Sequence, residues 1–203
     1  SSEISDSLKI DVENSYGSFK SGKLVSRISN SNETLGYLLE YLNFNSDGFK
    51  TIEGEGNTGF DINEFLFKFK IDFFKKYNTK HTLEFKFQNY DEISNETYLG
   101  LTKIDYDSKP FYRYPSTQKD NMIAYKNQYV VSYVVDFSDR FKVTTSGYNN
   151  FFRRNWYKLD DIVFEGESQK ISKVIGDPTA YENHYFFSKG IITGEDNFLK
   201  VKA

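Results

Sequence analysis

Apolar residues recur at every second position through Phe65, Phe67, Phe69, Ile71 and Phe73, with Lys68, Lys70 and Asp72 between them. The pattern repeats in Leu83, Phe85 and Phe87, set against Glu84, Lys86 and Gln88. A period of two defines strands with one apolar and one polar face, and it leaves no room for helices here. Only Lys75 to Lys80 separates the two runs, whereas a long polar excursion, about Asp91 to Asn121, follows the second. Short turns that alternate with long loops describe strands running up and down between two different environments, the arrangement of membrane-spanning barrels.

The same reading extends along the chain and predicts about nine strands. They are Leu8–Tyr16, Lys23–Asn30, Thr34–Phe44, the two runs above, Ala124–Phe137, Arg140–Phe151, Tyr185–Ile192, and a last one opening at Phe198. Tight turns are expected near Asn32, Asn78, Asp139 and Glu195, on typical turn residues. Long loops are expected at Asn45–Phe60, Asp91–Asn121 and Phe152–Asn183, the third with a short helix near Ile171–Ile175. Two strands and one tight turn separate each long loop from the next, so all the long loops should come together. The fold class is therefore all-β: an antiparallel up-and-down meander, expected to be a segment of a large transmembrane β-barrel spanning residues 1–203.

Composition agrees. The chain is 38% hydrophobic but 18% aromatic, with 20 Phe and 16 Tyr, so rings replace the usual aliphatic core. Aromatics favour strands and form the girdles of membrane barrels. A Tyr-rich soluble β-sheet module that stacks on sugars has a similar composition and is the alternative. The net charge of −3 is spread over both signs, which argues against a nucleic-acid partner. No cysteine is present, excluding disulfides and thiolate metal sites. No run approaches the roughly 18 apolar residues of a membrane-spanning helix. Ser1 to Ser7 is polar and the chain stops inside a strand, so it reads as a mature or excised segment.

Several short motifs, in order, resemble the TonB-dependent outer-membrane receptors. Tyr16-Gly17-Ser18-Phe19, then Gly36-Tyr37 and Ser46-Asp47-Gly48-Phe49, look like the first barrel strands after the plug. Glu96 to Thr102, then Asp105-Tyr106, Pro110 and Arg113-Tyr114, are similar to a long extracellular loop of the ferric-citrate-receptor-like branch. Arg154-Asn155-Trp156-Tyr157-Lys158-Leu159 resembles the strand end and loop that follow. The resemblance implies the N-terminal part of a barrel in the bacterial outer membrane. Its partners would be outer-membrane lipid, an iron chelate or other small nutrient as ligand, and TonB acting through a plug that this chain lacks. It implies transport rather than catalysis, and no cofactor.

Ligand-facing candidates follow from side-chain chemistry. Tyr106, Tyr112, Arg113, Tyr114 and Asp120 share one long loop, and a guanidinium fork suits carboxylates. The plainer alternative makes Arg113 a scaffold paired to Asp105 or Asp107. Arg154 and Trp156, with Arg153 and Tyr157, form a second cluster, read either as ligand contact or as an interfacial aromatic belt. His81 is expected in a turn and His184 at a strand start, with nothing to join them as a metal site. No nucleophile–base or paired-carboxylate arrangement stands out, so no enzyme is expected.

Overall fold

The computed structural model of the chain describes residues 2–53, 56–75, 79–191 and 198–202, with only the backbone described at 74–75 and 198–202. The strands are β1 (Lys9–Gly17), β2 (Ser21–Ser31), β3 (Leu35–Ser46), β4 (Thr51–Ile52), β5 (Phe60–Lys75), β6 (Thr79–Ser94), β7 (Tyr112–Arg113), β8 (Asn121–Ser138), β9 (Phe141–Phe164), β10 (Glu167–Lys170) and β11 (Phe198–Lys202). Three short helices join them: α1 (Lys103–Ser108), α2 (Ile171–Gly176) and α3 (Glu182–Ser188). A nine-stranded sheet runs in the order β1-β2-β3-β5-β6-β8-β9-β10, with β11 also on β9, while β4 and β7 form a small parallel pair. The sheet is a meander, and it is open: β1 ends the order and pairs only with β2 among the described residues. Two compact units divide the chain, residues 1–45, 61–92 and 124–153 in the first and 46–60, 93–123 and 154–203 in the second.

In the first unit the alternation sorts side chains as the sequence predicts. Register places Ile10 opposite Ile28 and Ile28 opposite Leu39 on one face, and Asp11, Arg27 and Glu40 side by side on the other. There Arg27 pairs with both Glu40 and Asp11. On the apolar face, ring centroids of Phe65 and Phe87 lie 6.3 Å apart, those of Phe67 and Phe85 6.1 Å, and those of Phe87 and Tyr129 5.0 Å. On the polar face Lys86 donates to Gln128 at 2.9 Å, and Gln128 donates to Asn150 at 2.8 Å. The N-terminal stretch lies along this polar face: Ser5 N–H donates to Ser29 Oγ at 2.8 Å, and Ser31 Oγ donates to the Ser5 carbonyl at 2.8 Å. Asn32 Oδ1 accepts from the amides of Thr34 and Leu35, which makes the expected tight turn.

The three long loops come together in the second unit, as expected from the connection pattern. Of the expected tight turns, those at 32–34 and 139–140 belong to the first; those expected near Asn78 and Glu195 lie outside the described residues. Thr51 N–H donates to the Phe111 carbonyl at 2.8 Å, tying the first long loop to the second through β4 and β7. Gly59 makes the first loop possible, because a Cβ there would sit 1.6 Å from the Ser46 carbonyl oxygen. Gly59→Ala must push the backbone apart, and we expect a loss of about 1–3 kcal/mol, measured by thermal unfolding followed at Trp156.

Three expectations need correction. Residues 185–192 were expected as a strand, but Glu182–Ser188 is helix α3. The aromatic run Tyr185-Phe186-Phe187 favours strands, yet His184, Tyr185 and Ser188 fall on one helical face and are buried together, so packing overrides propensity. The seventh strand does not stop at Phe151: β9 continues to Phe164 and turns back into β10 through Glu165 and Gly166, both at positive φ. His81 lies within β6, not in a turn, stacked on Phe73 with a hydrogen bond to the Tyr133 hydroxyl. The helix expected near Ile171–Ile175 is α2.

Candidate functional site

The loop unit is built around a buried core of Tyr112, Tyr114, Leu159, Ile162, Ile171, Val174 and Tyr185. Helix α1 is set locally: Thr102 caps it, its Oγ1 accepting from the Asp105 amide at 3.2 Å and donating to Asp105 Oδ2 at 3.0 Å. The Thr-x-x-Asp spacing of Thr102-Lys103-Ile104-Asp105 is a helix-start signal legible in the sequence, but the box is left half made, because the Thr102 amide donates to the Tyr114 hydroxyl instead of to Asp105.

The cap also aims Asp105 into the core. Its Oδ2 accepts from the Tyr114 hydroxyl at 2.6 Å and from the Tyr185 hydroxyl, and its Oδ1 accepts from Lys189 Nζ at 2.7 Å. Burial pushes the Asp105 carboxyl up, but Lys189, Tyr114, Tyr185 and Thr102 outweigh it and hold the pKa at about 2. Burial and the bond to Asp105 push the Tyr114 hydroxyl well above its ordinary value. This network joins the second long loop to α3 and the residue after it, far apart in sequence.

Arg113 makes a second knot. Its Nε donates to Thr117 Oγ1 at 2.9 Å, Nη1 to the Asn95 carbonyl, and Nη2 to the carbonyls of Thr117 and Asp120, the latter at 3.3 Å. The residue is only 3% exposed. Burial draws its pKa down, opposed by the charge of Asp120, and the guanidinium stays ionised. Asp120 is buried too, accepting from Thr97 Oγ1 and from the Leu159 amide, each at 2.7 Å, and burial pushes its carboxyl up. A cavity of about 210 Å³ opens beside this knot, lined by Lys50, Leu99, Tyr106, Tyr112 and Thr117 among others.

The sequence-predicted residues thus separate. Tyr112, Arg113, Tyr114 and Asp120 are buried and hold the loops together, and Arg113 is bonded to neither Asp105 nor Asp107. Tyr106 is exposed on α1 at the cavity. Arg154 and Trp156 are exposed on β9, the guanidinium 5.1 Å from the indole ring. Tyr98, Lys158, Tyr185 and Lys189, none of them among the ligand-facing candidates of the sequence, complete these arrangements. Tyr185 and Lys189 stand four residues apart, a helical spacing masked by the surrounding aromatics.

Comparison with protein-family models, with curated proteins and with solved structures gives no match. What the fold and site define is a class: an open antiparallel meander with two chemically distinct faces, whose long loops form a packed unit of their own.

Proposed function

We propose that this chain is part of an outer-membrane β-barrel receptor that binds and imports a ferric chelate, driven by TonB through a plug outside this sequence. One observation carries the reading: a continuous sheet bears an exposed apolar face opposite a charged one. Val12 is 68% exposed, Ile10 63% and Val131 47%, beside exposed Leu39, Phe65 and Tyr129. So wide an apolar surface is costly in water and is stable against lipid. Strands β5 and β6, 16 residues each, exceed the roughly 10 residues that cross a bilayer. The opposite face, with Arg27, Glu40, Lys68 and Lys86, suits a hydrated interior, and the loop unit would then meet the chelate.

The absence of cysteine makes the test direct, since single-cysteine variants need no background removal. Labels at Tyr129→Cys and Val131→Cys should be quenched by brominated lipid in reconstituted bilayers. Labels at Gln128→Cys and Ser132→Cys should be quenched by aqueous iodide instead. A chain that is monodisperse without detergent, with iodide reaching all four labels, rejects the membrane reading in favour of a soluble sheet module.

A further inference from the structure

Beside the buried core, the loop unit carries an exposed file of charge and ring. Arg154 lies over Trp156 at 5.1 Å, Trp156 meets Tyr98 edge-on at 6.3 Å, and Lys158 Nζ stands 4.2 Å over the Tyr98 ring. Arg154, Trp156 and Lys158 alternate along β9 and so share one face, while Leu159 between the strand's outward positions enters the core. Tyr98 comes from the second long loop and is anchored by its hydroxyl, which donates to the Leu159 carbonyl at 3.5 Å.

Among the described residues neither Arg154 nor Lys158 forms an ion pair with a carboxylate. The buried Asp120 carboxylate feels the Lys158 charge without pairing with it, and its two oxygens accept from Thr97 and the Leu159 amide. This matters because a ring restrains a cation without neutralising it, as a carboxylate would. Two cations are therefore held in place with their N–H donors and their charge still available. Their positions on the strand are about 13 Å apart, from four residues at roughly 3.3 Å each.

We infer that Arg154, Trp156, Tyr98 and Lys158 form a binding strip for a multivalent oxyanion, a ligand bearing carboxylates or phosphates at two points. Guanidinium takes one anionic group in a bidentate way, the ammonium takes another, and the rings cover the part of the ligand between them. The strip deepens the receptor reading and rests on it only for the natural ligand, which would be a carboxylate-bearing ferric chelate.

Trp156 is the one tryptophan in the chain, so the strip reports on itself. The full chain should be titrated with trisodium citrate, pyrophosphate and ferric citrate, following Trp156 emission. A saturable change that weakens with salt is expected. Arg154→Gln and Lys158→Gln should each raise the dissociation constant about tenfold or more, as loss of one charge-assisted bond implies. Lys142→Gln, on the same strand but away from the strip, should titrate as wild type. All side chains altered are partly or fully exposed, and unchanged melting will show that the variants fold. No saturable response to any probe, or titrations of Arg154→Gln and Lys158→Gln that match wild type, overturns the strip. Binding by citrate and pyrophosphate but not ferric citrate keeps the strip and removes the iron chelate. Lipid quenching of the sheet labels tests the membrane reading separately.

Discussion

Arg113→Ala should destabilise the loop unit by about 3–5 kcal/mol, because each buried acceptor left without a donor costs about 1–3 kcal/mol and neighbouring losses overlap. The substitution takes the guanidinium from the carbonyls of Asn95 and Asp120, and from the Thr117 carbonyl and hydroxyl, which keep only the Asp120 amide and the Tyr114 carbonyl as partners. Arg113→Lys should not rescue it, since one ammonium on a flexible stem cannot reach acceptors spread along the chain from Asn95 to Asp120. Two compact units make a single unfolding free energy ill-defined, so the measurement should be local. Trp156 lies in the same unit as Arg113, and denaturant unfolding followed by its emission reads that unit. Wild-type stability combined with weakened chelate binding would contradict this and return Arg113 to the ligand.

The Asp105 network should make the same unit acid-sensitive. Asp105 has a folded pKa of about 2, below the ordinary aspartate value. A depressed folded pKa means that the unfolded chain takes up the proton first as pH falls. The contribution to stability is therefore complete above about pH 4 and disappears between about pH 4 and pH 2, amounting to about 2–3 kcal/mol. Asp105→Asn should lose that amount at pH 7, because Lys189 then has no carboxylate and Asp105's charge no longer gathers Tyr114 and Tyr185. Below about pH 2 the wild type and Asp105→Asn should be equally stable. The check is the urea midpoint of both proteins from pH 7 down to pH 2. A constant difference across that range would show that Asp105 acts by shape and hydrogen bonding alone.

Placing these two residues required the tertiary structure. Arg113 in sequence stands in a polar loop among tyrosines, the usual setting of a ligand-facing residue. Nothing local reveals that the carbonyls of Asn95 and Asp120 will converge on it. Asp105 is half legible: the Thr102 cap three residues before it is local and readable, whereas Tyr185 and Lys189 reach it from 80 and 84 residues away. The cation–ring strip is legible in the same partial way. Arg154, Trp156 and Lys158 alternate along one strand, but Tyr98 completes the strip from another loop.

What the sequence determined by itself is whatever depends on neighbours one or two residues apart. Alternation along Phe65–Phe73 and Leu83–Phe87 set both the strands and the face each residue occupies, because successive side chains of a strand must point to opposite sides. Asn32 made its turn with amides two and three residues on. Alternating connection lengths were enough to bring the long loops into one unit, since antiparallel neighbours leave them no other arrangement. Only the tertiary structure decided the rest. Residues 182–188 became a helix because burying His184, Tyr185 and Ser188 on one side outweighs the strand preference of their rings. β9 ran on to Phe164 because its far end finds partners in β10 and β11. Burial and pairing of that kind depend on residues distant in the chain, and local pattern carries no record of them.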